Sequence, residues 1–381
     1  MIQIQKEFFG YGSIQNLKDV LDDYKIKKVF LVIGKKSYKL SGAEEKLKDI
    51  LKNVDYLIFN DFSPNPTIED VDLGISLLKQ YNPDMVIAVG GGSVIDIAKA
   101  VNALAAHQEK SELYVTGKKE LKNKGKPLIA IPTTSGTGSE VTRYATIYFN
   151  KIKYSLTSGK IIIPDVAIVD PSLTESMNKY QTASTGLDAL CQAIESMWAV
   201  MSTKESRETA KKSIKLSIEN LENAVKKPDK NSRTNMSKAA YLSGISINIS
   251  RTTACHSISY PITSYFGVPH GHAVALTMPE MIQYNFNVRE KDCNDKRGVH
   301  FVKERMNEII GLLNCKDEVD ANRYFSDLMK NIGVETQLSK LNINKKEIET
   351  ILEKGFTPNR MNNNPRLVTK DALKKILEAI L

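Results

Sequence analysis

A run of three glycines and a serine, Gly90–Ser93, directly follows the apolar segment Met85–Val89 and precedes a helix-patterned stretch. Glycine lets the backbone pass close to a ligand and adopt positive φ without steric cost. The first N–H groups and the positive dipole end of the following helix then face whatever lies against the turn. This arrangement is typical of a phosphate-binding loop and indicates a nucleotide cofactor. The spacing is not the GxGxxG fingerprint, so a tight turn without a ligand is the alternative.

A second loop rich in glycine and hydroxyl side chains, Thr133–Glu140, follows another apolar segment, Leu128–Ile131. Its hydroxyls and open N–H groups are suited to ribose or diphosphate oxygens. Taken alone, this loop also fits an ordinary surface loop. Two such loops, each directly after a predicted strand, favour the cofactor interpretation.

Four side chains in the second half of the chain have the chemistry of metal ligands. Asp188 and Gln192 are four residues apart in a helix pattern, so they share one face of that helix. His256 and His270 bracket a proline-containing segment, and His272 follows after one glycine. A carboxylate, an amide oxygen and two imidazoles make a mixed ligand set for a divalent cation. A single histidine is more simply structural, but three of the five histidines lie in this short stretch, which favours a site.

These residues must be positioned by two different kinds of structure. The first part of the chain alternates strand and helix patterns, which indicates a parallel sheet flanked by helices. The predicted strands are 28–33, 54–59, 85–89, 127–131 and 161–169, and the predicted helices are 43–52 and 68–80. After about residue 172 only helical patterns follow, at 185–200, 205–225, 236–249, 303–313 and 345–353. We therefore predict an α/β N-terminal domain, residues 1–173, an all-α C-terminal domain, residues 174–381, and a ligand site in the cleft between them.

Composition excludes several classes of protein. No segment approaches the ~20 apolar residues of a membrane span, and the N-terminus lacks the basic start and apolar core of a secretory signal. The net charge is +9, but the lysines and arginines are scattered, which predicts no nucleic-acid partner and instead a preference for anionic ligands. Four cysteines without a CxxC pair predict free thiols in a reducing cytoplasm.

Further motifs accompany these candidate sites along the whole chain. They are FFGYGSI (8–14), NPT (65–67), GGGSVID (90–96), TTSGTGSEVT (133–142), PDVAIVDPSLT (164–174), TGLDALCQAIE (185–195), PHGHAVAL (269–276) and NPR (364–366). On these stretches the chain resembles the iron-containing (group III) alcohol dehydrogenases over essentially its full length. The resemblance implies a Rossmann-like α/β domain followed by an all-α domain, the dehydroquinate synthase-like fold. It also implies a nicotinamide cofactor, a divalent metal, Fe²⁺ or Zn²⁺, and a homodimer or larger assembly.

The resemblance assigns the metal and the proton-transferring groups to particular positions. Its metal ligands fall on Asp188, Gln192, His256 and His270. Gln192 stands where the family usually has histidine, and an amide oxygen is a weaker, harder ligand than imidazole, so Fe²⁺ or Zn²⁺ is expected to bind less tightly. Tyr260 stands where many members have a histidine near the substrate. A phenol with a pKa of about 10 is a poor base but can donate a hydrogen bond. Tyr260 and His272 are the candidate catalytic groups for the proton.

The resemblance also assigns the cofactor contacts. They are Gly34, Lys35, Asn65, Gly91, Gly92, Ser93, Asp96, Thr133, Thr134, Ser139 and Lys153. Members selective for NAD often have an aspartate at the end of the first long strand, which repels a 2′-phosphate. Here Gly34 is followed by Lys35 and Lys36, and ammonium groups favour NADPH on Coulombic grounds, with NADH as the alternative.

Three arginines inside otherwise matching motifs, Arg143, Arg251 and Arg360, indicate an anionic substrate. Each alone is typical of a surface salt bridge, but guanidinium groups suit phosphate, phosphonate or sulfonate oxygens. The segments around Gln192, 250–257 and 269–273 are similar to those of the phosphonoacetaldehyde reductases of this family. We therefore expect metal-assisted, NAD(P)H-dependent reduction of a small anionic aldehyde, with phosphonoacetaldehyde giving 2-hydroxyethylphosphonate as the first candidate.

Several other functions fit parts of the same pattern. Sulfoacetaldehyde is the nearest alternative substrate, and a general short-chain alcohol dehydrogenase follows if the arginines are structural. A lyase of the dehydroquinate synthase type also binds NAD and a metal, although TGLDALCQAIE and PHGHAVAL resemble those enzymes less. A metal-poor nucleotide-binding pseudoenzyme is the interpretation that Gln192 and Tyr260 favour.

Overall fold

The computed structural model describes residues 5–150 and 152–381. The chain folds as two compact units, the first ending at Met177 and the second comprising Asn178–Leu381. The sequence placed this boundary slightly earlier, after residue 173. Within the described residues, none of the helices combines the length and apolar character that a membrane span requires.

The first unit contains a six-stranded sheet and a separate hairpin. Its strands are β1 (Lys6–Phe9), β2 (Lys28–Ile33), β3 (Asp55–Phe59), β4 (Met85–Gly90), β5 (Leu128–Pro132), β6 (Tyr144–Phe149), β7 (Ile152–Thr157) and β8 (Val166–Val169). The order across the sheet is β1-β8-β5-β4-β2-β3, and each neighbouring pair runs parallel. β6 and β7 form an antiparallel pair of their own. The predicted parallel sheet is confirmed.

The central strands are buried because helices cover both faces of the sheet. Every residue of β4 and of β5 is buried, and such strands are near-continuous apolar runs rather than alternating ones. The helices of this unit are α1 (Asn16–Asp23), α2 (Ser37–Leu40), α3 (Ala43–Ile50), α4 (Ile68–Tyr81), α5 (Gly92–Ala105) and α6 (Ser111–Val115). The predicted strand 161–169 is wrong in its first half, since Pro164 has no N–H for a ladder and only β8 pairs.

Every regular element of the second unit is helical, which confirms the predicted all-α domain. The helices are α7 (Lys179–Trp198), α8 (Lys204–Lys226), α9 (Lys230–Ser250), α10 (Ala254–Phe266), α11 (His270–Phe286), α12 (Gly298–Leu312), α13 (Glu318–Asn331), α14 (Lys345–Lys354), α15 (Pro358–Met361) and α16 (Lys370–Ala379). α7 lies at the centre of this unit, packed against α8, α9 and α11. It is buried along nearly its whole length, so any polar side chain on it needs a partner or a ligand.

Candidate active site

One stripe of α7 carries three buried polar side chains, Asp188, Gln192 and Glu195. They stand at positions i, i+4 and i+7, which lie above one another on a helix. The helix is started by Asn178, whose side-chain oxygen accepts a hydrogen bond from the backbone N–H of Gln181 at 2.8 Å. This face of α7 forms one side of the candidate metal centre.

Three elements bring potential ligand atoms of Asp188, His256 and His270 within 4.8 Å of one another. His256, on α10, places Nε2 3.5 Å from Asp188 Oδ1, and His270, at the start of α11, places Nε2 4.0 Å from the same oxygen. The two imidazole rings have centroids 5.5 Å apart and planes at 72°. The structure therefore brings three of the four predicted ligands together on separate helices.

A divalent cation fits this cluster. Asp188 Oδ1 and His256 Nε2 are buried, and neither has a hydrogen-bond partner within the described part of the chain. An unsatisfied buried polar group costs about 1–3 kcal/mol, and a cation coordinated by both atoms removes that cost. Carboxylate and imidazole are ordinary ligands of Zn²⁺ and Fe²⁺. Burial lowers the pKa of His256, but the carboxylates of Glu195 and Asp188 outweigh it and raise the pKa.

Gly271 explains how α11 comes close enough to α7 for His270 to reach Asp188. A Cβ at this position would lie 1.9 Å from the carbonyl oxygen of Ser184 and 2.8 Å from Asp188 Cβ. Any side chain here would therefore push the two helices apart. The glycine between His270 and His272 is needed for this close packing.

Gln192 is held by a hydroxyl from the neighbouring helix α9. Its Oε1 accepts a hydrogen bond from Ser243 Oγ at 3.0 Å, and both side chains are buried. An amide oxygen has two lone pairs, so this hydrogen bond is compatible with coordination of a cation. The amide is thus fixed on the same helix face as Asp188, four residues away.

Glu195 is the residue of this site that sequence reasoning missed. Its fully buried carboxylate accepts hydrogen bonds from the backbone N–H of Thr253 at 3.0 Å and of Cys255 at 2.8 Å. His256 Nδ1 lies 2.5 Å from its Oε2. Burial raises the pKa of Glu195, but His256 and the hydrogen bonds from Thr253 outweigh it and lower the pKa. The i+7 spacing from Asp188 was the available signal.

The turn between α9 and α10 is short and strained. Arg251 has φ 59° and ψ 177°, a region that essentially only glycine adopts without strain. Asn363 Nδ2 donates to the carbonyls of Ser250 at 2.8 Å and Thr252 at 3.1 Å, which holds the turn on either side of Arg251. Arg360 Nη1 donates to Thr252 Oγ1. The segment that contains the NPR motif therefore supports this turn.

Two of the three predicted anion-binding arginines meet at this turn. The Arg251 guanidinium has no hydrogen bond or ion pair to any described residue, and its Nε is buried. Arg360 approaches the same turn through Thr252. Arg143 lies in the first unit, where its Nε donates to the Tyr144 hydroxyl at 3.3 Å. Its relation to the other two arginines stays a prediction.

Tyr260 lies between Arg360 and a predicted metal ligand. Its ring is nearly parallel to that of His270, with centroids 6.3 Å apart, and the Arg360 guanidinium carbon is 5.5 Å from its centroid. Burial raises the pKa of Tyr260, and the lowering influence of Arg360 does not cancel this. The phenol is therefore protonated at neutral pH and can serve as a hydrogen-bond donor rather than a base.

His272, the second predicted proton-transferring group, has a polar partner at each ring nitrogen. Its Nδ1 lies 2.9 Å from the Tyr180 hydroxyl and its Nε2 lies 2.7 Å from the Glu335 carbonyl. Burial lowers its pKa, so the ring is neutral, with one nitrogen donating and the other accepting. Residues two apart on a helix point in different directions, which is why His270 faces the metal cluster and His272 does not.

In the first unit, the two glycine-rich loops are joined to each other by side chains. Asp96 Oδ1 accepts a hydrogen bond from Ser139 Oγ at 2.5 Å, and Asp96 Oδ2 accepts from the Thr146 N–H at 2.9 Å. Both Asp96 and Ser139 were predicted to contact the cofactor. In the structure their side chains hold the second loop and β6 against α5, and their contact with a cofactor stays a prediction.

Lys99, one turn after Asp96, completes this connection and was also missed. It is fully buried, and its Nζ donates to Ser139 Oγ at 3.2 Å and to the carbonyls of Thr142 at 2.8 Å and Tyr144 at 2.9 Å. Burial lowers its pKa to about 8, partly offset by Asp96 and Glu140. Burial likewise raises the pKa of Glu140 to about 7.

The first glycine run is needed for close packing rather than for positive φ. None of Gly90, Gly91 and Gly92 has positive φ, so the left-handed backbone expected in this turn is absent. A Cβ on Gly92 would lie 2.7 Å from the Thr137 side chain, so the two loops approach each other here. α5 begins at Gly92, and because the N–H of Val94 already bonds to the Gly91 carbonyl at 3.0 Å, the amides of Gly92 and Ser93 are those without an acceptor in the helix.

The remaining predicted cofactor residues lie around these loops. The Ser93 hydroxyl donates to the Pro64 carbonyl, next to the exposed Asn65. Thr133 Oγ1 is buried and has no hydrogen-bond partner among the described residues, and Thr134 lies beside Gly91. Gly34 and Lys35 follow β2 directly, and Lys153 is on β7. The orphaned Thr133 hydroxyl and the free amides of α5 fit an anionic, oxygen-rich ligand such as a dinucleotide.

Comparison with known proteins agrees with the resemblance seen in the sequence. A family model described as iron-containing alcohol dehydrogenase matches residues 5–171. A second model, described as Fe-containing alcohol dehydrogenase family, C-terminal, matches residues 182–381. Together the two models cover both units.

Individual relatives cover nearly the whole chain. The NADPH-dependent butanol dehydrogenase of Clostridium saccharobutylicum is 33% identical over 382 residues, which span 98% of this chain and 95% of that protein. The phosphonoacetaldehyde reductase of Streptomyces viridochromogenes is 29% identical over 343 residues, 87% of this chain and 85% of that one. Among solved structures, the sulfoacetaldehyde reductase of Bifidobacterium kashiwanohense in complex with NAD⁺ has a TM-score of 0.87 and 31% identity, covering 99% and 97% of the two chains.

Proposed function

The chain belongs to the iron-containing alcohol dehydrogenase family, and we propose that it reduces a small anionic aldehyde to the alcohol with NAD(P)H and a divalent cation. Phosphonoacetaldehyde, giving 2-hydroxyethylphosphonate, is the first candidate substrate, and sulfoacetaldehyde is the second. Relatives whose names carry these two activities support an anionic aldehyde.

The observation that carries the proposal is the cluster of Asp188, His256 and His270, with two buried ligand atoms left without partners. These three residues would hold the cation, Fe²⁺ or Zn²⁺, and Gln192 would be the fourth ligand. When bound, the cation polarises the substrate carbonyl and the dinucleotide supplies the hydride. The protein's task is then to orient the aldehyde, exclude water and provide a proton.

Tyr260 is the side chain we assign to the proton. Its hydroxyl holds a proton at neutral pH, because burial raises the pKa, and its ring lies along that of His270. The neighbouring Arg360 offsets part of this rise in the pKa, which favours donation to an alkoxide that develops on the substrate. His272, with both nitrogens engaged, would hold α11 in place.

The anionic end of the substrate is assigned to Arg251 and Arg360, with Arg143 as a third cation from the first unit. A guanidinium without a partner among the described residues, as in Arg251, is available to bind phosphonate or sulfonate oxygens. The Arg360 guanidinium carbon lies 5.5 Å from the centroid of the Tyr260 ring, and α15, which carries Arg360, packs against α10. An anion there would be bound by fixed charges within one unit of the protein.

NADPH is the cofactor we favour, bound by the loop residues named above. Lys35 and Lys36 follow β2 where a carboxylate would repel a 2′-phosphate. Lys35 is paired with Asp61 at 3.2 Å, but both side chains are exposed, so the pair is weak and its ammonium can be drawn to a stronger anion. The relatives differ, since one is named NADPH-dependent and another was solved with NAD⁺.

The test is a substrate panel with metal-loaded protein, using phosphonoacetaldehyde, sulfoacetaldehyde and acetaldehyde with NADPH and with NADH. We expect the charged aldehydes to have the higher kcat/KM, and Arg251→Ala and Arg360→Ala to raise KM for them but not for acetaldehyde. Arg323→Ala, which removes an exposed arginine from the same unit, is the control. Equal turnover of all three aldehydes would contradict the anionic substrate. Absence of turnover with any of them would contradict aldehyde reduction.

Two further parts of the proposal concern assembly and location. We propose a homodimer or larger homo-oligomer, as the family resemblance implies, without nucleic-acid or membrane partners. We also propose a cytoplasmic location, which the four free cysteines support because disulfides are rare there.

A further inference from the structure

Glu195 contacts both the backbone at the start of α10 and the imidazole ring of His256. It lies on the same stripe of α7 as Asp188 and is fully buried. One set of contacts goes to the backbone at the start of α10, and the other goes to the imidazole of His256. A single carboxylate therefore joins the position of a helix to the orientation of a ring.

The backbone contacts act as a helix cap supplied by another helix. Thr253, the N-cap of α10, makes no side-chain cap of its own. Instead, Glu195 accepts from the N–H groups of Thr253 and Cys255, at 3.0 and 2.8 Å, and from Thr253 Oγ1 at 2.7 Å. A carboxylate at a helix N-terminus satisfies free N–H groups and is favoured by the helix dipole. This fixes where His256, in the first turn, stands.

The contact with the ring decides which imidazole nitrogen is available. An ionised carboxylate only accepts hydrogen bonds, so His256 Nδ1, 2.5 Å away, must carry a hydrogen. The other nitrogen, Nε2, faces Asp188 Oδ1 at 3.5 Å and has no hydrogen-bond partner among the described residues. In the neutral ring, Nε2 then presents its lone pair to the position of the cation.

We infer that Glu195 is a positioning residue that holds His256 as the Nδ1–H tautomer while capping α10 with the same carboxylate. The inference rests on the proposed metal-dependent function, but its predictions concern metal binding and proton position. Replacing outer partners of ligating histidines typically weakens metal binding roughly 10- to 100-fold.

The informative substitution is Glu195→Gln, which keeps size and shape. The amide oxygen should take the place of Oε1, which accepts from Cys255 N and Thr253 Oγ1. The NH₂ group then replaces Oε2, loses the hydrogen bond that Oε2 accepts from Thr253 N–H, and donates towards His256 Nδ1, so the ring proton moves to Nε2. That nitrogen would become a donor and could no longer bind a cation without a change of tautomer.

The experiment measures Zn²⁺ binding to the full-length apo-protein by calorimetry, together with ¹⁵N NMR of the histidine rings at alkaline pH. We expect Glu195→Gln to bind Zn²⁺ roughly 10- to 100-fold more weakly and to show His256 protonated on Nε2. Glu280→Gln is the matched control, because its carboxylate on α11 bonds to Asn322 instead. Fluorescence of Trp198, whose Nε1 donates to Thr253 Oγ1 at 2.9 Å, reports whether the start of α10 is intact.

Undiminished Zn²⁺ affinity in a folded Glu195→Gln protein would overturn the inference. So would a wild-type apo-protein whose neutral His256 carries its proton on Nε2, a measurement that needs no variant. If the wild type binds Zn²⁺ and Glu195→Gln does not, but no aldehyde is reduced, the inference stands while the proposed function fails.

Discussion

Replacing Arg251 by glycine should leave the helical unit more stable than replacing it by alanine. Arg251 has φ 59° and ψ 177°, and a non-glycine residue in that region costs about 1–3 kcal/mol. Glycine avoids this cost but loses about 0.4–1 kcal/mol through the greater freedom of the unfolded chain. Relative to Arg251→Ala, which keeps the strain, Arg251→Gly should therefore be more stable by about 1 kcal/mol.

The assay is thermal and urea unfolding of the full-length variants, followed by tryptophan fluorescence. Trp198 is the single tryptophan, and it is bonded to Thr253 directly after the strained turn, so it reports on the helical unit. A gain of about 1 kcal/mol corresponds to a Tm increase of roughly 2–4 °C for a unit of this size. The alanine variant is the control for loss of the guanidinium, which both variants share.

If Arg251→Gly unfolds at a lower temperature and urea concentration than Arg251→Ala, the backbone is not strained as argued. Both variants should show the same rise in KM for the charged aldehyde, because both lack the guanidinium. A rise in KM with only one of the two variants would show that loss of the guanidinium charge does not explain the weaker substrate binding.

Four other outcomes follow from the structure. Lys99→Met should leave the buried carbonyls that Lys99 now satisfies without partners, destabilise the first unit by about 1–3 kcal/mol and weaken NADPH binding in a fluorescence titration. Gln192→His replaces an amide oxygen by an imidazole nitrogen and should tighten Zn²⁺ binding by about tenfold, which is about 1.4 kcal/mol, measured by calorimetry. Folding raises the pKa of Glu140 from 4.5 to about 7, so between these pH values the folded state binds more protons than the unfolded state. The free energy of unfolding therefore falls as pH rises through that interval. Glu140→Gln should remove this pH dependence, measured by urea unfolding at several pH values. Adding Zn²⁺ to the apo-protein at about 100 times its Kd should stabilise it by about 2.7 kcal/mol, and a chelator should reverse the effect.

The sequence predicted elements where the pattern is local. β2 and β4 were found at nearly their observed bounds, because strands covered on both faces are continuous apolar runs. β1 was missed because it is a short, largely exposed edge strand, whose order depends on pairing with β8. The hairpin β6–β7 was missed although β7 alternates apolar and polar residues, which is the pattern of a half-buried strand.

For the candidate site, the sequence identified many of the functional side chains but not the residues that bind them. Helical spacing was enough to place Asp188 and Gln192 on one face of α7. It could not show that Asp96 and Ser139 bind each other, because that contact joins residues 43 positions apart. Lys99 and Glu195 were missed for the same reason, as each is recognised only through the tertiary contacts that satisfy it. The contacts of His272 with Tyr180 and Glu335 likewise join distant parts of the chain, so the sequence could not show them, and its role in proton transfer stays a prediction.

The absence of a side chain at Gly271 has a consequence for which ions can enter. Backbone contact between two helices, rather than adjustable rotamers, sets the 4.0 Å gap from His270 Nε2 to Asp188 Oδ1. Two of the three clustered ligands are imidazoles, and nitrogen donors suit Zn²⁺ or Fe²⁺. Calcium binds instead through six to eight oxygen ligands. Because the packing of two helices holds an imidazole beside Asp188, the cluster should discriminate against calcium through the kind of ligand atom it offers.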